Sequence, residues 1–245
     1  MKKLVILFAM VGVLSLIAAT YYSNLVGGNS HAADASHDGH NHVAATTSLD
    51  VDAIKTAAKA KPIQRSVPAD AVDVEPLIYG NTDAPIIIEE FASFTCSHCA
   101  NFHRDGLPKL KEALIDNGLA QLHVYSFVRN AQDLEVTMMI QCQDTNDARK
   151  KFANAAMRGQ EQWVLSANYQ EGLKTIARVG GMSEEAYTKC VSDEALSDKI
   201  VASREWFDKQ VGVNATPYFR VGTEIVKGAQ GIAEFEAAIK AELAK

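Results

Sequence analysis

Basic charge is in short supply along this chain of 245 residues: 24 Lys and Arg stand against 30 Asp and Glu, a formal charge of −6. The lysines are scattered rather than clustered, so a polyanion would find no electrostatic footprint, and nucleic-acid binding is excluded. Cysteine is scarce as well, four in all, and only Cys96 and Cys99 are closely spaced. The second close pair that a structural zinc site commonly draws on is therefore missing. No internal repeat marks a solenoid, no convincing strand occurs between about Asn130 and Val211, and no dimerisation module is evident. Hydrophobic residues at 47% still suffice for one substantial core or two small ones, which excludes a fibrous or wholly disordered chain.

What is present begins with a leader. Lys2 and Lys3 precede the apolar run Leu4 to Ala19, and Tyr21-Tyr22 then give way to Ser23-Asn24. This is the layout of an export signal. Residues 1–26 are read as a signal peptide cut near Ser30-His31-Ala32, or as a membrane anchor if the apolar stretch extends through Val26. Either way the cysteines are expected in a periplasmic or other extracytoplasmic space, where a disulfide persists. Residues 27–72 are poor in large apolar side chains and read as a flexible tether, with at most one short helix around Val51 to Lys61. His31, His37, His40 and His42 sit within it, either as a solvated cluster or as ligands for a transition metal.

The folded part is expected from residue 73. A turn at Asn81 to Pro85 leads into the apolar run Pro85 to Phe91, which predicts a central strand covered on both faces. A helix opens at Cys96 and is disturbed near Gly106-Leu107-Pro108, because proline lacks a donor and restricts the residue before it. Leu119 to Val128 alternates as a second strand, and Asn117-Gly118 closes the helix before it. A helical block follows, in which Ser183 ahead of Glu184 and Glu185 marks one helix start. Tyr218 to Val221 and Glu224 to Lys227 form a hairpin about Gly222-Thr223, and Ile232 to Leu243 is an amphipathic helix.

The chemistry centres on Cys96-Ser97-His98-Cys99. A strand that feeds Cys-x-x-Cys into a helix start places the first sulfur at the helix's positive end, which favours thiolate. Cys96 is assigned as the attacking thiolate and Cys99, one turn further in, as the resolving thiol. Zinc remains the bland alternative, with His98 or His103 filling in, and a purely structural local disulfide is another. His98 is expected to stabilise the Cys96 thiolate, which makes the disulfide easier to reduce. Glu90, on the incoming strand, could point beneath the helix and relay protons to Cys99, while neighbouring Glu89 is expected to face water. Cys142 and Cys190 should both turn inward within the helical block, as a disulfide, as two free thiols or as a second redox pair. Thr216-Pro217 alone says little, since a trans bond is favoured on base rates.

Together, Glu90 to Cys99, the helical insertion and Thr216 to Gly222 resemble the DsbA-like branch of the thioredoxin superfamily, over roughly Asn81 to Leu243. The resemblance implies an α/β, thioredoxin-like fold with an inserted helical domain: residues 73–129 and 210–245 form the thioredoxin-like part and 130–209 the insertion. It also implies that Pro217 is cis and packs on the cysteine pair, that Thr216 offers backbone hydrogen bonds to an extended substrate, and that Glu90 is the family's buried acid. The implied activity is thiol:disulfide exchange with cysteine-containing exported proteins, reset by a membrane redox partner, with no cofactor and no metal. Ser97 and Thr216 depart from the best-known oxidases, which have proline and valine there. Donation of disulfides leads, with reduction or isomerisation as the alternative, and a metal-handling protein as a reading from another class.

Overall fold

A computed structural model describes residues 51–245, which fall within one unit, Ser48–Lys245. The leader and the four tether histidines lie outside the described residues. Five strands form one mixed sheet in the order β1-β3-β2-β4-β5: β1 (Leu77–Tyr79), β2 (Ile86–Ala92), β3 (Ala120–Ser126), β4 (Tyr218–Val221) and β5 (Glu224–Lys227). β2 and β3 run parallel, and every other pairing is antiparallel. Placing β2 at the centre follows from its composition, since a strand buried on both faces needs apolar side chains pointing both ways. β1 was not foreseen. Three residues are too short a run to show a period, and the strand is defined by pairing with Leu122 to Val124 rather than by pattern.

The helix after β2 runs in pieces: α2 (Ser97–Asn101), a π-helical turn (Phe102–Gly106), α3 (Leu107–Leu110) and a second π-helical turn (Lys111–Ile115). The expected disturbance near Pro108 thus takes the form of widened turns, with the proline in the first turn of α3, where its missing N–H costs little. Gly106 is needed there for a second reason, because a Cβ at that position would meet the Phe102 ring at 2.6 Å.

Between β3 and β4 lie six helices: α4 (Ala131–Gln141), α5 (Asn146–Arg158), α6 (Gln160–Val164), α7 (Tyr169–Gly180), α8 (Glu184–Val191) and α9 (Glu194–Trp206). Ser183 caps α8, accepting from the Ala186 amide at 3.1 Å, as its sequence context predicts. This insertion shares the main core, although Met138, Cys190 and Ile200 form a smaller separate cluster with Val74 and Val128. Met139, Phe152, Trp163 and Tyr187 from its helices belong to the same buried cluster as Ile86, Ile88 and Phe102. The chain ends in α10 (Ile232–Leu243), whose Phe235 and Ile239 are fully buried.

The tether reading fails for its second half. Helix α1 (Val51–Ala60) forms where expected, but Ile54 and Ala58 are buried, and Ile63 bridges Ile86 at the N-terminal end of β2. Beyond it the carboxylate of Glu89 accepts from the Ser66 and Val67 amides at 2.8 and 3.0 Å and from the Ser66 hydroxyl at 2.5 Å. Four well-spaced buried apolar residues, Ile54, Ala58, Ile63 and Val67, and one acceptor suffice to strap this polar segment down, although its average composition is that of a linker. Glu89 is accordingly 1% exposed, not water-facing.

Candidate active site

Strand β2 ends at Ala92 and the chain crosses Ser93 to Thr95 before Cys96, which is the N-cap residue of α2. An N-cap side chain faces the orphan amides of the first helical turn. Here that side chain is a thiol, and the amides of His98 and Cys99 are among the groups that favour its ionised form. The largest effect is the hydrogen bond from the Cys99 thiol. Burial opposes ionisation, and Thr216 adds to the favourable side. The balance brings the Cys96 thiol from 9.0 down to about 4.

Thr216 acts at two atoms. Its carbonyl oxygen accepts from the Cys96 thiol at 3.3 Å, a bond that exists only while the thiol holds its proton. Its hydroxyl is buried with no other partner, and is the donor left to serve a thiolate. The Thr216–Pro217 peptide is cis, as the resemblance implies and against the base rate for the dipeptide alone.

Cys99 is fully buried and behaves in the opposite sense. Burial pushes its thiol up first, the hydrogen bond it gives Cys96 second, and the negative charge of Glu90 third. Both cysteines are free thiols here. The pair thus divides one proton unequally: Cys96 releases it readily and Cys99 keeps it.

Glu90 is completely buried on the face of β2 that packs under the helix, sharing that face with Ile88 and Ala92. It is tied to His103, whose Nε2 lies 3.1 Å from both carboxylate oxygens. His98 requires a correction. Its imidazole is exposed, and what it contributes to the Cys96 thiolate is its backbone amide. Any residue other than proline would supply that donor. Cys142 and Cys190 are joined as a disulfide, but only Cys190 is buried. Cys142 is the C-cap of α4, where the helix has already ended, and it is exposed rather than turned inward.

Several residues that hold the cysteine loop were not found from sequence. Asp133, on α4 and fully buried, accepts from the Thr95 amide and the Ser93 hydroxyl, both at 2.8 Å, and from the Arg129 amide at 3.0 Å. Burial nonetheless raises its carboxyl above the usual range, outweighing those bonds. Asn130 caps α4 and reaches the Thr95 hydroxyl at 3.1 Å. Gln160, from α6, donates to the carbonyls of Phe94 and Cys96 at 2.7 and 2.9 Å. Asn130 with an acidic residue in the next turn is a legible helix start, but nothing in sequence ties it to a loop 35 residues earlier. Among the described residues, no three His, Cys, Asp or Glu side chains converge as a metal site.

Comparison with known proteins accords with this geometry. Residues 73–241 match a family profile described as Thioredoxin. A Rickettsia bellii protein named "Putative protein-disulfide oxidoreductase" is 30% identical over 150 residues, covering 61% of this chain and 58% of that protein. The chain thus spans less than two thirds of that relative's length. The crystal structure of a protein-disulfide isomerase from Novosphingobium aromaticivorans superposes with a TM-score of 0.59 at 25% identity, over 70% of this chain and 99% of that one. Alpha-DsbA1 of Wolbachia pipientis gives 0.62 at 23% identity, over 77% and 96%. The mixed sheet, the helices inserted between β3 and β4, and the cysteine pair opening the helix after β2 thus have one common explanation: the chain belongs to the thioredoxin family.

Proposed function

We propose that this protein is an exported thiol:disulfide oxidoreductase that donates the Cys96–Cys99 disulfide to thiols of other exported proteins. The observation that carries the reading is the unequal division of the proton between the two cysteines. A substrate thiolate attacks Cys96 Sγ, the Cys96–Cys99 bond breaks, and its electron pair leaves on Cys99 Sγ, which takes a proton. A second substrate thiolate then attacks the substrate sulfur of the mixed disulfide, and Cys96 leaves as a stable thiolate. The substrate is oxidised by two electrons and the enzyme reduced by two. Because the reduced enzyme is stabilised by its thiolate, electrons are drawn toward it.

Thr216 and Pro217 are read as the edge on which an extended substrate segment lies, and the dithiol as being reset by a membrane partner of opposite redox poise. Export is supported by the leader, which lies outside the described residues, and no helix among those described is long and apolar enough to cross a membrane. The deciding measurement is the reduction potential of the couple: about −120 to −180 mV fits donation or isomerisation, and about −270 mV fits a reductase. Cys99→Ala should trap substrates as mixed disulfides on Cys96. If cells yield no trapped protein, the exchange reading is wrong.

A further inference from the structure

Beneath the cysteine pair lies a titratable side chain that the exchange chemistry above leaves unused. His103 follows Cys99 by four residues, a spacing that keeps two side chains on neighbouring turns of one helix face. Both meet Glu90. The imidazole Nε2 is 3.1 Å from each carboxylate oxygen, and the carboxylate's charge acts on the Cys99 thiol. The two partners are sealed off, with side-chain exposures of 4% for His103 and 0% for Glu90. A carboxylate so deep is tolerated only with a strong donor, and the imidazole supplies it. His103 Nδ1 is buried with no hydrogen-bond partner, so no contact on the far side of the ring fixes how many protons it holds. The π-helical turn that begins at Phe102 carries this histidine, and such turns recur where a helix serves a site.

We propose that His103 is a positioning residue for disulfide exchange: it shares a proton with Glu90, and that proton passes through Glu90 to Cys99 as the disulfide opens and returns as it closes. The inference rests on the exchange reading. On opening, the bond between the sulfurs breaks, the electron pair goes to Cys99 Sγ, and Glu90 gives that sulfur the proton while His103 retains its bond to the carboxylate. The Glu90–His103 unit is then one proton poorer and stays so until the disulfide closes. On closing, Cys99 returns the proton to the unit as its sulfur attacks Cys96 Sγ and the substrate thiolate departs. Without such a store, Cys99 would have to leave as a bare thiolate in a site that strongly disfavours its charge.

The surroundings hold few competitors for the role. From β1 comes Tyr79, whose phenol is kept protonated by burial and by Glu90 and donates to Asn154 at 3.2 Å. The cross-strand partners of Glu90, Val124 on β3 and Phe219 on β4, are apolar, as are Phe235 and Ile239 of α10. Helix α5 brings Lys150, which is paired with Asp147 at 2.8 Å and lies 5.4 Å from the Tyr79 ring centre, and Arg149, whose Nε is buried without a partner.

The test is single-turnover reduction of the oxidised full chain by glutathione from about pH 5 to 8, with wild type and His103→Gln compared as a ratio so that the ionisation of glutathione cancels. The ratio should be about tenfold or more at the acid end and fall toward one at the alkaline end. Glu90→Gln should flatten the profile in the same way. A ratio that stays constant over the range overturns the proposal, since a structural role alone would shift the rate without shaping its pH dependence. Should the variants fail to fold, the wild-type protein still decides: the His103 imidazole resonances must move when Cys96–Cys99 is reduced, and invariance rejects the proton store. Absence of any wild-type exchange with glutathione overturns both readings, whereas normal exchange with a constant ratio removes only that of His103.

Discussion

The side-chain amide of Gln160 donates to the backbone carbonyl of Cys96 at 2.9 Å, joining the first cysteine of the pair to an inserted helix 64 residues away in sequence. Its second N–H takes the Phe94 carbonyl at 2.7 Å. Both bonds are buried, so neither carbonyl has water to fall back on. Gln160→Ala should lower stability by about 1–3 kcal/mol, the cost of leaving buried acceptors unmade. Denaturant midpoints of the reduced and oxidised forms would measure it, and no loss in either form would mean that the loop holds itself.

The Cys96 thiolate sets a pH dependence whose direction follows from linkage. A thiol depressed to about 4 in the folded protein contributes stability that is complete above its unfolded value of about 8.5 and is lost as pH falls through about 4. The oxidised form has no thiol and lacks this contribution. At neutral pH the reduced protein should therefore unfold at higher denaturant than the oxidised one, and the gap should close toward pH 4. Thiolate absorbance near 240 nm should titrate over the same acid range, and Thr216→Val should move that midpoint upward by removing the hydroxyl donor. A midpoint near that of a free thiol would contradict the site as described.

The Cys142–Cys190 bridge spans 48 residues of the insertion. On the chain-entropy model, replacing both cysteines with alanine should cost about 4 kcal/mol. Equilibrium unfolding gives the number, and glutathione exchange at Cys96 in the folded variant should be unchanged, because Cys190 packs in the cluster of Val74, Val128, Met138 and Ile200, whereas Asp133 and Gln160 hold the cysteine loop.

Glu89→Ala removes the acceptor for the Ser66 and Val67 amides and the Ser66 hydroxyl. Amide hydrogen exchange at Ser66 and Val67 should accelerate about 10- to 100-fold, the counterpart of about 1–3 kcal/mol of lost local stability. Protection equal to wild type would show that Ile63 and Val67 suffice as anchors.

How far the sequence carries differs by scale. Strand β2, the helix start at Cys96, strand β3 and the hairpin are legible because each rests on a local rule, an apolar run, a cap or a turn. The cysteine pair is legible for the same reason. His103, Asp133 and Gln160 are not, because each acquires its role from a partner that only the folded chain brings near. His98 shows the converse. Its residue type suggests a charged side chain tuning the thiol, yet the backbone does that work, and a backbone amide leaves no mark in sequence. The strap over residues 51–67 reads as a linker because average composition hides four apolar anchors, Ile54, Ala58, Ile63 and Val67, whose worth depends on where they land.

Adjacent Glu89 and Glu90 leave β2 on opposite faces, one capturing the strap and the other bound to His103 under the thiols. Were β2 to slide by a single residue against its neighbours, one carboxylate would take the other's place and the second would enter the opposite compartment away from any of these donors. A buried charge would then be stranded, at several kcal/mol. The acidic pair therefore acts as a key cut for one alignment of the central strand: the residues that prepare the sheet for proton chemistry also penalise every misaligned way of assembling it.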